Sequence, residues 1–281
     1  MSAADALDAV PEATRRLPGS RWESGSLCEG SELVAEEVPV ALAYNGITHA
    51  VMLASPLDLE DFALGFTLSE RIVRQRRDVY DIEVEEGACG NAGGIVVSLR
   101  IAAGAMARLK GARAARTGKT GCGLCGVESL DYFEREACLP DAPAACGAPI
   151  DPAALHRAMA AMAGRQQLHH ATGAVHAAAW ADPQGTLVCV REDVGRHNAL
   201  DKLIGALAQG GAAAPGFALV TSRASFEMVQ KAARAGFGLL AAISAPTALA
   251  VRMAEEAGLT LAGFVRGGRH VVYSHPQRLL G

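Results

Sequence analysis

The stretch FALVTSRASFEMVQKAARAGFGLLAAISAPTALAVRMAEEAGLTLAGFV, residues 217–265, decides the fold. Three short apolar runs, 217–221, 238–243 and 259–265, alternate with two helical patterns, 225–235 and 246–257. Apolar runs this short, bounded by turn residues, read as buried strands. Alternated with amphipathic helices, they predict a largely parallel sheet covered on both faces. Working outward, a helix over 197–208 precedes the stretch. Before it come strands at 174–180 and 186–191, joined by Asp182-Pro183-Gln184-Gly185, a turn built from turn-forming residues. Asp151 and Pro152 supply an N-cap and a first-turn proline for a helix reaching about 163. Residues 151–281 therefore read as one α/β domain.

Upstream, residues 31–115 read as a small α+β domain. Strand-like runs flank Asn45-Gly46, a pair that tolerates positive φ and so signals a hairpin. A helix over 55–73 follows, with Asp58, Glu60 and Asp61 in an acidic first turn. Strands at 79–84 and 95–101 and a helix at 102–114 complete the unit. Residues 1–30 are polar, broken by Pro and Gly and without period, which predicts a tail lacking order. Residues 116–150 form a Gly-rich loop and connection.

Composition narrows the function. The chain has 281 residues, half of them hydrophobic, and a formal net charge of −4, which argues against nucleic acid as a partner. Its longest apolar stretches fall well short of the ~20 residues a membrane span needs, and the N-terminus lacks a secretory pattern. A cytoplasmic protein is expected. Seven cysteines (28, 89, 122, 125, 138, 146 and 189), an odd number spread over a mid-sized chain, argue against a disulfide scaffold.

Cys122 and Cys125 stand apart within RTGKTGCGLCG, 116–126. Glycine lets the loop move and approach a partner closely. Arg113, Arg116 and Lys119 nearby favour the thiolate, the form that attacks sulfur. A mobile, cation-flanked thiol suits a carrier that accepts sulfur and presents it elsewhere. Zinc is the rival reading, with Cys138 and Cys146 completing four ligands, but no second Cys-x-x-Cys supports it. A thioredoxin-like pair would want an apolar strand just before it, and none is there. Gly121-x-Gly123-x-x-Gly126 lacks a leading strand, so it is not read as a dinucleotide loop.

The second half carries polar, helix-starting segments after its strands: Arg196 and His197; Thr221, Ser222 and Arg223; Ser244; and Arg266 to Arg269. Ligands of α/β sheets lie beyond strand ends, where helix N-termini offer free N–H groups and a positive dipole end. Arginine binds phosphate bidentately. Together these segments predict a pocket for a phosphate-bearing ligand. His169, His170 and His176 surround Thr172-Gly173 without a carboxylate or Cys to complete a metal set, and read as polar contacts near the bound ligand or as buried histidines.

At this point the chain resembles a known family. GCGLCGVE (121–128), HATGAVHAA (170–178), REDVGRHNALDK (191–202), TSRASFEM (221–228) and GFVRGGR (263–269) look like the formate dehydrogenase accessory sulfurtransferases, FdhD, over about residues 33–280. The resemblance implies that sulfur from a cysteine desulfurase is held as a persulfide on Cys122, with Cys125 as its partner. It implies transfer to the molybdenum bis(molybdopterin guanine dinucleotide) cofactor, bis-MGD, for formate dehydrogenase. Phe264, Val265, Arg266, Gly267, Gly268 and Arg269 match the segment associated with that cofactor. A cytidine-deaminase-like three-layer C-terminal domain, a homodimer and no resident metal are implied as well. Deamination itself is excluded, because no histidine here begins a His-x-Glu zinc motif.

Overall fold

The computed structural model describes residues 13–87, 94–114, 149–211 and 215–279, with the backbone alone at 110–114. It holds a two-stranded hairpin, a four-stranded sheet and a six-stranded sheet.

The hairpin is a correction to the expected tail. β1 (Thr14–Glu23) and β2 (Ser26–Ala35) pair antiparallel along their whole length around Ser24-Gly25, both at positive φ. Its strands lack hydrophobic alternation because neither face lies on the core. Cross-strand pairs hold it instead, with Ser20 Oγ donating to Glu29 at 2.7 Å and Arg21 paired with Glu32. Residues 1–12 lie outside the described residues.

The small sheet runs in the order β4 (Ile47–Ala54), β3 (Val38–Tyr44), β6 (Gly94–Ile101), β5 (Val79–Gly87). Asn45 and Gly46, at φ 47° and 80°, make the expected two-residue turn between β3 and β4. α1 (Leu59–Ser69) and α2 (Ala103–Ala114) lie against one face, where Leu42, Tyr44, Phe62, Leu64, Val97 and Leu99 form a core.

The large sheet runs β12 (Arg269–Ser274), β11 (Thr260–Arg266), β10 (Leu239–Ala242), β9 (Phe217–Val220), β7 (His176–Ala181), β8 (Leu187–Asp193). It is mixed rather than largely parallel. β9–β10 and β10–β11 pair parallel, whereas β7–β8, β7–β9 and β11–β12 pair antiparallel. The short turns at Asp182–Gly185 and Gly267-Gly268 dictate much of this, since a tight turn joins only antiparallel neighbours. β12 itself was not anticipated, nor was α4 (Gln167–Thr172), which is only six residues long. Helices cover both faces as expected. α5 (Arg196–Gln209), α6 (Phe226–Arg234) and α7 (Ala248–Glu256) bury Leu200, Leu203, Met228, Val229 and Met253 on one side. α3 (Pro152–Ala163), capped by Asp151, buries Leu155, Met159 and Met162 on the other.

The two sheets are joined where α1 crosses α5 backbone to backbone. A Cβ on Gly65 would fall 1.7 Å from the Asp201 carbonyl oxygen, and one on Gly205 1.9 Å from that of Asp61. Only glycine permits so close an approach.

Candidate functional site

The sheet ends expected to bind a ligand meet along one edge of the large sheet. Thr221, just past β9, accepts the Ala177 N–H on Oγ1 at 2.8 Å beside the start of β7. Ala224 bridges Pro246 in parallel, and the Thr247 N–H donates to the Ala224 carbonyl at 3.1 Å. The Phe264 N–H donates to the Ser244 carbonyl at 3.1 Å. The start of β7, the loops after β9 and β10, and the end of β11 thus form a continuous rim.

The predicted residues divide into two groups along it. Thr221 spends its hydroxyl on Ala177, Ser222 is buried with Oγ donating to the Arg223 carbonyl at 3.0 Å, and Ser244 positions Phe264 through its carbonyl. Val265 is fully buried in the core on the α3 side. These four shape the rim. Arg223, Arg266 and Arg269 are exposed and have no ion pair among the described residues. Phe264 holds φ 56°, strained for an aromatic residue, at a register shift in the β11–β12 pairing, and the Arg266 guanidinium lies 5.9 Å from its ring centroid. Gly267 and Gly268, both at positive φ, turn the chain tightly between Arg266 and Arg269.

Helix N-termini supply the second part of the site. α5 starts after Gly195, which has no side chain to cap it. α6 starts after Ser225, whose Oγ donates to Glu227 at 3.0 Å instead of capping the backbone. Both helices therefore present first-turn N–H groups without a side-chain cap, and their dipoles favour an anion. Half-buried Arg196 begins α5. His197 Nε2 lies 3.2 Å from Glu227 Oε2, and the neighbouring imidazole holds the Glu227 carboxyl below its usual range.

Two further groups lie here: His176, read from the sequence as a polar contact or a buried histidine, and Glu227, which that reading missed. His176 opens β7, and burial, then Arg196, push its imidazole below the ordinary histidine value. Glu227 gave only the weak signal of an acid in a helix first turn. Of the other histidines, His169 Nδ1 meets the Val175 carbonyl at 3.1 Å and His170 Nε2 that of Ala163. Among the described residues no group of three or more His, Cys, Asp or Glu side chains could hold a metal. Cys122 and Cys125, like the Cys138 and Cys146 of the zinc alternative, lie outside the described residues. Cys28 is exposed on β2 rather than in a core, and Cys189 is half-buried on β8.

With this geometry in place, comparison with known proteins is decisive. The FdhD/NarQ family model matches residues 35–280. The chain belongs to the FdhD/NarQ family. A relative from Cupriavidus necator, named sulfur carrier protein FdhD, is 57% identical over 277 residues, covering 98% of this chain and 93% of the relative. Relatives of the same name from Bordetella petrii (56% identical; 89% of this chain and 87% of the relative) and Xanthomonas euvesicatoria (51%; 96% and 95%) agree. The crystal structure of a protein from Desulfotalea psychrophila, described as a formate dehydrogenase accessory protein, has the same fold. Its TM-score is 0.74 at 24% identity, over 95% of this chain and all of that one. Among the described residues no helix is long and apolar enough to cross a membrane.

The most distinctive FdhD/NarQ stretch, 191–202, is chiefly architectural. Asp193 and Lys202, both fully buried, pair at 2.7 Å; Asp193 also accepts the Ser55 N–H, and Lys202 donates to the Ser55 carbonyl, each at 3.0 Å. Asn198 bridges Asp193 and the Leu53 carbonyl, and Arg191 binds Asp61. Asp201 takes Lys231 and the Ser69 hydroxyl. Burial alone would lower the Lys231 pKa, yet Asp201 and Glu70 outweigh it and hold the ammonium charged. Only Arg196 and His197 of this stretch turn to the rim.

Proposed function

We propose that this protein carries sulfur as a persulfide on Cys122 and delivers it to bis-MGD seated along the polar rim. The observation that carries this reading is the meeting, at one sheet edge, of Arg196, Arg223, Arg266 and Arg269 with two helix N-termini lacking side-chain caps. Such a rim suits the diphosphates of a dinucleotide cofactor, and the Phe264 ring offers a stacking surface for a guanine base. Relatives named sulfur carriers match almost the whole chain and supply the cargo.

The chemistry follows from thiol exchange. The Cys122 thiolate attacks the terminal sulfur of a persulfide on a cysteine desulfurase; a new S–S bond forms and the donor leaves as a thiolate. Cys125 then attacks Cys122 Sγ, expelling hydrosulfide to the cofactor and leaving a disulfide that a thiol reductant reopens. bis-MGD is the substrate acted upon, and formate dehydrogenase receives it. The sheet order β8-β7-β9-β10-β11, with β7 antiparallel to both neighbours, supports a cytidine-deaminase-like core reused as a nucleotide cradle. On this reading the protein acts as a homodimer in the cytoplasm.

Incubation with a cysteine desulfurase and cysteine should add about 32 Da, one sulfur atom, to the protein and nothing to Cys122→Ala. The variant should still bind GDP. A full-length protein that takes up no sulfur, or formate dehydrogenase that matures normally in cells carrying Cys122→Ala, sinks the proposal.

A further inference from the structure

The turn between α1 and β5 reads RIVRQRRD, residues 71–78, and puts four arginines within seven positions. Arg71, Arg74, Arg76 and Arg77 are all exposed, while Ile72 and Val73 between them are buried and pin the turn to the core. Arg76 donates to the Val79 carbonyl. Arg71, Arg74 and Arg77 have no ion pair among the described residues, although acids line the next strand.

Arg71 makes the turn more than a solvated surface. It sits just past the end of α1 at φ 55°, with its N–H donating to the Leu68 carbonyl and that of Ile72 to Thr67, both at 3.0 Å. This is the helix-terminating position where glycine is free and an L side chain is strained. A strained arginine, held where glycine would be easier, has a use for its side chain. The neighbouring strand limits what that use is. Asp81, Glu83, Glu85 and Glu86 are exposed along β5, the edge strand of the small sheet. Because this acidic strand leads directly out of the turn, a long phosphodiester chain continuing from the arginines along it would meet carboxylates that repel it. A short run of carboxylates, followed on the same partner by basic groups, matches the stripe of cation then anion.

We propose that the 71–77 turn is a docking surface for a carboxylate-rich segment of a protein partner, separate from the rim and independent of the sulfur chemistry. The test is fluorescence anisotropy of labelled octaglutamate against the full chain at low salt. Replacing the three arginines together (R71G/R74Q/R77Q) should weaken binding about tenfold or more, the effect shrinking as salt rises. R266Q/R269Q, at the rim, should leave it within about twofold. Arg71→Gly alone should weaken binding while its thermal midpoint stays level or rises, which separates a lost contact from a damaged fold. Unchanged affinity in the triple variant overturns the proposal. So does equal loss in R266Q/R269Q, or a single-stranded oligonucleotide of the same charge binding through these arginines as tightly as the peptide.

Discussion

Along the seam between the sheets, Asp193, Lys202, Asp201 and Lys231 are buried and each charge faces an opposite one at 2.7 to 2.9 Å. Along the rim, Arg223, Arg266 and Arg269 stand in solvent, and no carboxylate among the described residues pairs with them. Both regions are rich in polar residues, and the stretch 191–202 contributes to both. The difference lies in where each charge finds its counterpart. A buried pair satisfied within the chain stabilises geometry, because losing one member strands the other in low dielectric. An exposed arginine left unmatched adds little to stability and keeps its donors for a ligand.

This contrast is open to direct attack, beginning at the seam. Asp193→Asn should cost about 3–5 kcal/mol, since Lys202 loses the carboxylate paired with its fully buried ammonium; the urea midpoint checks it. Gly205→Ala comes next, at about 3 kcal/mol, because the new methyl collides with the Asp61 backbone and forces α1 from α5. At the rim the effects should invert. Arg269→Ala should weaken GDP binding about tenfold by calorimetry while moving stability by less than ~0.5 kcal/mol. A rim substitution that unfolded the protein, or a seam substitution that spared it, would erase the distinction.

The smallest effect concerns acid. Burial first, then neighbouring positive charge, lowers the His176 and His270 imidazoles, His270 facing His156 Nε2 at 3.0 Å. In the unfolded chain they take a proton near pH 6.5; folded, they resist it, so the unfolded state binds more protons. Stability should be complete above about pH 6.5 and erode as pH falls through and below it. Urea midpoints at several pH values should fall less steeply in His270→Asn.

The sequence made the α/β half legible nearly strand by strand, because each strand of 217–265 is an unbroken apolar run between turn residues. Its mixed direction was not legible: a buried strand looks alike in parallel and antiparallel pairing, and only the tight turns carry the answer. The β1–β2 hairpin was missed because its pairing rests on cross-strand polar contacts, which leave no periodic signal. At the site, exposed Arg266 and Arg269 were visible as charge beside glycine, whereas the backbone contacts of Thr221 and Ser222 and the burial of Val265 were not. Short polar side chains after a strand read identically whether they face a ligand or the neighbouring backbone. Glu227 shows the converse: the neighbour that sets its charge, His197, lies far away in the chain.

The last strand has a consequence for how the molecule is made. The Ile150 N–H donates to the Arg278 carbonyl at 2.7 Å, and Arg278 also holds the Gly258 carbonyl. The chain therefore re-enters its fold, after the cysteine-bearing connection, at a point fastened by residues made long after it. During synthesis that fastening cannot exist until every strand of the large sheet has emerged, so the second half closes as a unit rather than growing segment by segment.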